Sequence, residues 1–235
     1  YIFGFLIGWF YIKNFLTNDL QEKTLIDDFI SYLILGVIIG GRLGYVIFYN
    51  FFYYLSHPLE VFFIWQGGMS FHGGLLGVCL ATYVFTYKYN LNFLRYTDLV
   101  SLTAPVGIFL GRVANFINSE LYGRETDFII AVNFNKVDNL YRHPSQLYES
   151  FFEGIILFVI LNLLWKKFSK FPGVISSLFL IFYSFFRFVI EFFRVPDEQL
   201  GYLFFNLTMG QIISIIFLIM GSYLVFIKYE IKKKS

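Results

Sequence analysis

Gly111-Arg112-Val113-Ala114-Asn115-Phe116-Ile117-Asn118-Ser119-Glu120-Leu121-Tyr122-Gly123-Arg124 closes an apolar run, residues 99–110, that is long enough to belong to a membrane span. The stretch itself carries two arginines, two asparagines and a glutamate, an odd way to end a membrane helix. On helical spacing Arg112, Asn115 and Ser119 share one face, and Glu120 lies one turn beyond Phe116 on the adjoining face. Polar groups at membrane depth are expensive, so their recurrence on one face reads as a site. The plainer alternative is an anchored helix end whose arginines snorkel to the interface.

Working outward, composition fixes the class. Of 235 residues 57% are apolar and 23% aromatic, only 14% are charged, and the mean hydropathy is +0.65. No ordinary soluble domain needs that balance, and the chain reads as a polytopic, all-α membrane protein. The net charge of +2 does not point to nucleic acid, because the basic residues lie in short segments between apolar runs rather than in one patch. Cys79 stands alone inside an apolar run, cannot form an internal disulfide, and reads as a small buried hydrophobe. Trp9, Trp65 and Trp165 are interface markers, and the three histidines lack metal-ligand spacing, so no metal site is expected.

The pattern predicts seven transmembrane helices in a single domain, residues 1–235. The first, residues 1–12, is too short to cross about 30 Å of hydrocarbon and has no initiator Met or basic leader, so a truncated first helix is expected. The others fall at 29–49, 69–87, 98–118, 146–165, 171–192 and 207–227. Between the fourth and fifth, residues 120–145 are too polar to span and are expected to form a small extracytoplasmic cap.

Seven spans put Lys13, Lys23, Lys88, Arg95, Lys166, Lys167, Lys170, Lys228, Lys232, Lys233 and Lys234 on the side of the C-terminus. Only Arg124, Lys136, Arg142 and Arg194 fall on the other side. Cationic loops stay inside, which places the C-terminus in the cytoplasm and the N-terminus outside. Arg42, Arg112 and Arg187 then lie in the later parts of outward-running spans, and His72 begins an inward-running one. Four helices thereby deliver ionisable groups to the outer leaflet.

The constellations offer alternatives. Gly40-Gly41-Arg42-Leu43-Gly44 suits either tight helix packing around one paired arginine or a functional arginine. In Gly67-Gly68-Met69-Ser70-Phe71-His72-Gly73-Gly74 the glycines leave room for a ligand, with His72 as a base, a hydrogen-bond partner or a structural residue. A Ser70/His72 nucleophile pair is disfavoured because a spacing of two on a helix points them apart. In His143-Pro144-Ser145-Gln146-Leu147-Tyr148-Glu149, Pro144 suits a first helical turn. Glu149 and Glu153 share a face and need partners, either a structural arginine such as Arg42 or a direct role. Tyr183, Arg187, Glu191 and then Arg194 form one polar stripe on a Phe-rich helix, where Arg187 and Glu191 can pair.

Four of these motifs, from Gly67–Gly74, Gly111–Gly123, His143–Glu149 and Arg187–Asp197, resemble the signatures of the bacterial prolipoprotein diacylglyceryl transferases. The resemblance implies a seven-span fold of the bacterial inner membrane with an outward-facing site and no cofactor. It implies transfer of diacylglycerol from phosphatidylglycerol to the thiol of a lipobox cysteine in a prolipoprotein signal peptide, releasing glycerol phosphate. His72, Arg112, Asn115, Glu120, Gly123, Arg187 and Glu191 match positions important in the family, whose members carry further functional positions before residue 1. On that footing Arg112 and Arg187 take the phosphate, Asn115 hydrogen bonds, Glu120 and Glu191 orient the arginines, and His72 activates the thiol. Gly123, Tyr183, Glu191 and Arg194 join the two arginines on the lipid-binding side. The rivals are a secondary transporter for an anionic substrate, which should show an internal repeat that is not seen, and a membrane scaffold, which needs no polar cap.

Overall fold

The computed structural model describes residues 2–17, 19–196 and 201–234. Asp197, the last residue of the fourth motif, lies outside them. The described chain is mostly helical: α1 Ile2–Tyr11 with a trailing π turn, α2 Leu20–Phe48, α3 Phe51–Ser56, α4 Phe71–Lys88 and α5 Phe93–Asn118. A two-stranded hairpin follows, β1 Val132–Asn133 and β2 Tyr141–Arg142. Then come α6 Ser145–Phe168, α7 Val174–Ile190 and α8 Met209–Lys234.

Among the described residues, five helices are long and apolar enough to cross a bilayer: α2, α5, α6, α7 with the turn that follows it, and α8. The expected spans at 1–12 and 69–87 coincide with α1 and α4, which are helical but stand outside that set of five. Glycines, threonines and tyrosines dilute the apolar content of α4. Two helices start earlier than expected. Leu20 rather than residue 29 opens α2 because Asp19 caps it, its carboxylate accepting from the N–H of Gln21 at 3.2 Å. Phe93 rather than residue 98 opens α5.

The chain divides into two compact units, residues 9–97 and residues 1–8 with 98–235. In the first, α2 and α4 meet along glycines. A Cβ on Gly77 would lie 2.0 Å from the carbonyl oxygen of Gly36, and one on Gly73 would lie 2.3 Å from that of Gly40. Only glycine permits that backbone-to-backbone approach. Phe29, Phe85 and Tyr96 form the aromatic core nearby, with ring centroids 4.9–5.3 Å apart. Cys79 faces outward from α4, contrary to the buried position expected of it, because the glycine seam occupies the face that packs.

Arg42 is buried, and among the described residues it makes no ion pair. Its guanidinium donates to the carbonyls of Val61 at 2.8 Å, Gly67 at 2.7 Å and Glu60 at 2.6 Å, tying down the loop between α3 and α4. Glu149 and Glu153 therefore take their partners elsewhere.

In the second unit Asp98 reaches α7 from the opposite end of α5. Its carboxylate accepts from the N–H groups of Gly173 at 2.8 Å and Ser176 at 2.7 Å, satisfying donors that the first turn of a helix leaves free. Midway, α6 widens into a π turn over Ser150–Ile156, where Ser150 donates to the carbonyl of Phe109 and Gly154 leaves room for the Phe109 side chain. The polar segment between α5 and α6 is ordered by backbone pairing. Gly123 pairs with Arg194 and Glu125 with Arg142, so the chain leaving α5 runs as an extended strand between the entrance of α6 and the exit of α7.

Candidate active site

Arg112 sits near the end of α5, and Arg187 near the end of α7. Both reach the same carboxylate. Glu149, at the start of α6 and wholly buried, has Oε2 2.7 Å from Nε of Arg112, and its Oε1 accepts from Nη1 of Arg187 at 2.6 Å. Glu191 pairs with Nη2 of Arg187 at 2.8 Å, as the i, i+4 spacing predicts. Glu153 lies one turn below Glu149, wholly buried and 3.9 Å from Nη1 of Arg187, and Arg194 approaches Glu149 at the same distance. Three arginines thus interleave with three glutamates where a lone buried charge would be prohibitive.

The arrangement leaves donors unused. Arg112 spends only Nε on Glu149, and among the described residues its two Nη groups carry no hydrogen bond, while its side chain keeps 20% of its exposure. A guanidinium held by one edge with the other edge open suits an oxyanion, because the planar fork presents two parallel N–H groups.

Gly123 is buried where the extended strand passes between two others, its N–H donating to the carbonyl of His143 at 2.9 Å. A Cβ there would lie 2.4 Å from that carbonyl oxygen and 2.7 Å from the carbonyl of Phe193. The next residue, Arg124, donates to the carbonyls of Phe193 and Arg194, both at 2.9 Å. This stitching fixes the turn of Glu120 and Leu121 that follows α5. Burial pushes the imidazole of His143 below its ordinary pKa, and its Nδ1 lies 3.0 Å from the Tyr148 hydroxyl.

The residues expected at the site are distributed unequally. Arg112, Arg187, Glu191 and Arg194 come together, and Tyr183 lies a turn before Arg187, stacked on Phe179. Asn115 lies one turn beyond Arg112, its carbonyl accepting from the N–H of Glu120. Glu120 is exposed and, among the described residues, its carboxylate makes no ion pair; its carbonyl accepts from Gln146 at 2.6 Å. Glu149, not Glu120, is the carboxylate that holds Arg112. His72 belongs to the unit of residues 9–97, exposed in the first turn of α4. The Ser70 hydroxyl caps that helix by accepting from Gly73 N–H at 3.2 Å, which accounts for Ser70 without any chemistry.

The chain is 50% identical over 230 residues to the phosphatidylglycerol–prolipoprotein diacylglyceryl transferase of Rickettsia akari (strain Hartford), covering 96% of this chain and 88% of that one. The proteins of the same name from Rickettsia bellii (strain OSU 85-389) and Rickettsia felis (strain ATCC VR-1525 / URRWXCal2) are 50% and 49% identical, covering 96% of this chain and 87% and 88% of theirs. The model of the prolipoprotein diacylglyceryl transferase family matches residues 1–227, a span that takes in every helix described above up to the last turns of α8. With that model matched over nearly its whole length and these relatives at about half identity, the chain belongs to the prolipoprotein diacylglyceryl transferase family.

Proposed function

We propose that this protein transfers a diacylglyceryl group from phosphatidylglycerol to the cysteine thiol of a prolipoprotein signal peptide, the lipobox cysteine, in lipoprotein maturation. The observation that carries the reading is the Arg112–Glu149–Arg187 bridge, which leaves the outer edge of the Arg112 guanidinium open near the end of a membrane helix. Family membership supports it over an anion transporter.

The chemistry follows from the groups present. A thiolate sulfur attacks the terminal glycerol carbon of the diacylglycerol moiety. As the C–S bond forms, the C–O bond to phosphorus breaks and its electron pair goes to the phosphate oxygen, giving glycerol phosphate and a thioether. Charge collects on phosphate oxygens as the bond breaks, so donors aimed there stabilise the transition state more than the ground state. Arg112 and Arg187 supply those donors, Asn115 adds a hydrogen bond, and Glu149 and Glu191 hold the guanidiniums in place. A free cysteine has a pKa of about 8.5, so the thiol proton needs an acceptor, and His72 takes that role. Tyr183, Gly123 and Arg194 flank the lipid headgroup, and Glu120 borders its entrance.

The same reading places the chain in the bacterial inner membrane as one domain of seven spans, with the N-terminus and the 120–145 cap outside and the C-terminus in the cytoplasm. A reporter fused after Lys234 should read cytoplasmic and one inserted at Asn135 extracytoplasmic. Both on one side would remove the seven-span arrangement. The reaction is tested by mass spectrometry of a lipobox peptide incubated with the protein and phosphatidylglycerol. A diacylglyceryl adduct on the cysteine is expected; transfer absent with phosphatidylglycerol would overturn the assignment.

A further inference from the structure

We propose that Thr208 is a positioning residue for the transfer, acting through Glu191 on Arg187; the inference rests on the reading that Arg187 holds phosphate. The residues Thr208-Met209-Gly210-Gln211 open α8 with the S/T-x-x-E/Q pattern of a capping box. The box is formed: the side-chain oxygen of Gln211 accepts from Thr208 N–H at 3.0 Å, and Gln211 N–H donates to Thr208 Oγ1 at 3.3 Å. Both residues are 3% exposed, so no water competes. With its lone pair taken by the cap, the Thr208 hydroxyl turns its own proton outward and donates to Glu191 Oε1 at 3.0 Å.

Gly210 completes the seat. A Cβ there would lie 2.8 Å from the carboxyl carbon of Glu191 and 2.8 and 3.0 Å from its oxygens, so the carboxylate rests against the first turn of α8 because residue 210 has no side chain. That position also sets a negative group at the positive end of a 26-residue helix. With Oε1 held by Thr208, Oε2 is left 2.8 Å from Nη2 of Arg187. Glu149 holds Nη1 from the other side. The last torsion of a glutamate is otherwise broad, so without the hydroxyl the carboxylate turns and one edge of the guanidinium loses its fixed partner.

A role confined to capping α8 makes different demands, and two substitutions separate them. Thr208→Val removes the hydroxyl at constant shape, and Thr208→Ser restores it. Gly210→Ala favours the helix by intrinsic propensity while colliding only with the movable end of Glu191. Measured as turnover per folded molecule, Thr208→Val and Gly210→Ala should each lower kcat about tenfold, with KM for phosphatidylglycerol within about twofold and Thr208→Ser within about twofold of wild type. Gly210→Ala at wild-type kcat, Thr208→Ser as impaired as Thr208→Val, or a loss carried by KM alone would overturn the proposal. A wild-type protein that transfers nothing would sink the assigned reaction instead. The clamp is then decided by side-chain NMR of the detergent-solubilised protein, using the Arg187 Nε–H signal identified by its loss in Arg187→Lys. Faster exchange of that proton in Thr208→Val supports the clamp, and unchanged exchange removes it.

Discussion

Replacing Glu149 by Gln is the most incisive perturbation of the arginine cluster, because it keeps the shape and removes the one charge that two helices share. The glutamate is wholly buried, and the arginines it holds retain only 20% and 12% of their side-chain exposure, so water cannot stand in for it. Two contacts are at stake, an ion pair with Arg112 at 2.7 Å and a hydrogen-bonded ion pair with Arg187 at 2.6 Å. A hydrogen bond to a charged group contributes about 1.5–3 kcal/mol, and an amide can offer its oxygen to one arginine only while turning its NH2 toward the other. The expected loss is therefore on the order of 3 kcal/mol in the geometry that meets the phosphate, more than a hundredfold in turnover. The assay is transfer to a lipobox peptide per correctly inserted molecule, with raised salt giving no rescue because the cluster is sheltered from the bulk. A Glu149→Gln protein within about threefold of wild type, a difference under about 1 kcal/mol, would refute the bridge as the organiser of the site.

Arg112→Lys keeps the charge but replaces a fork by a point, and should cost on the order of 3 kcal/mol in transfer with abundance unchanged, whereas survival within about threefold would leave Arg112 as a helix anchor. His72→Gln should lower transfer about a hundredfold or more if the imidazole takes the thiol proton, and full activity at pH 7 would take His72 out of the chemistry. In the polar segment, the hydrogen bond from Arg142, and then the N–H of Leu140, hold the carboxyl of Asp138 below its usual range. A depressed pKa means that this contact favours the folded hairpin above the ordinary carboxylate pKa of about 3.9 and fades as pH falls through the lowered value. Asp138→Asn should therefore speed amide exchange across residues 132–142 at pH 7, and the two proteins should converge in acid; identical exchange at pH 7 would show that the hairpin does not need the pair.

What could be read in advance was whatever depends on one helix at a time. Hydropathy located the apolar cores of α2, α5, α6, α7 and α8, and helical spacing found the Arg187–Glu191 pair because both partners ride on the same helix. Contacts between helices follow from how far each is slid and turned against its neighbour, which spacing does not encode. Hence the sequence marks Glu149 as needing either a structural arginine such as Arg42 or a direct role, and Arg42 is satisfied by loop carbonyls. The placement of Glu120 escapes the pattern for a related reason. Ser119 and Leu121 adopt left-handed backbone angles at the end of α5, so helical spacing no longer governs where the next side chain goes. The Thr208–Gln211 capping box goes unmarked in the sequence reading, because an N-cap is a local pattern until the acceptor of its hydroxyl is known.

The π turn in α6 changes how this site tolerates insertion and loss. A straight α-helix turns about 100° per residue, so one residue more or fewer swings everything beyond it to a new azimuth. A π turn absorbs one extra residue by widening. Ser150–Ile156 begins directly after Glu149 and includes Glu153, so it buffers the phase between the entrance of α6, which presents Glu149, and the part from Leu157 that ends in Lys166 and Lys167. Excising a single residue from it would restore regular α geometry and keep the two parts nearly in phase, whereas the same excision from straight α-helix would swing everything beyond it by about 100°. The wide turn is consequently the one stretch of α6 where a residue can be given up without turning Glu149 away from the apolar surface of the same helix.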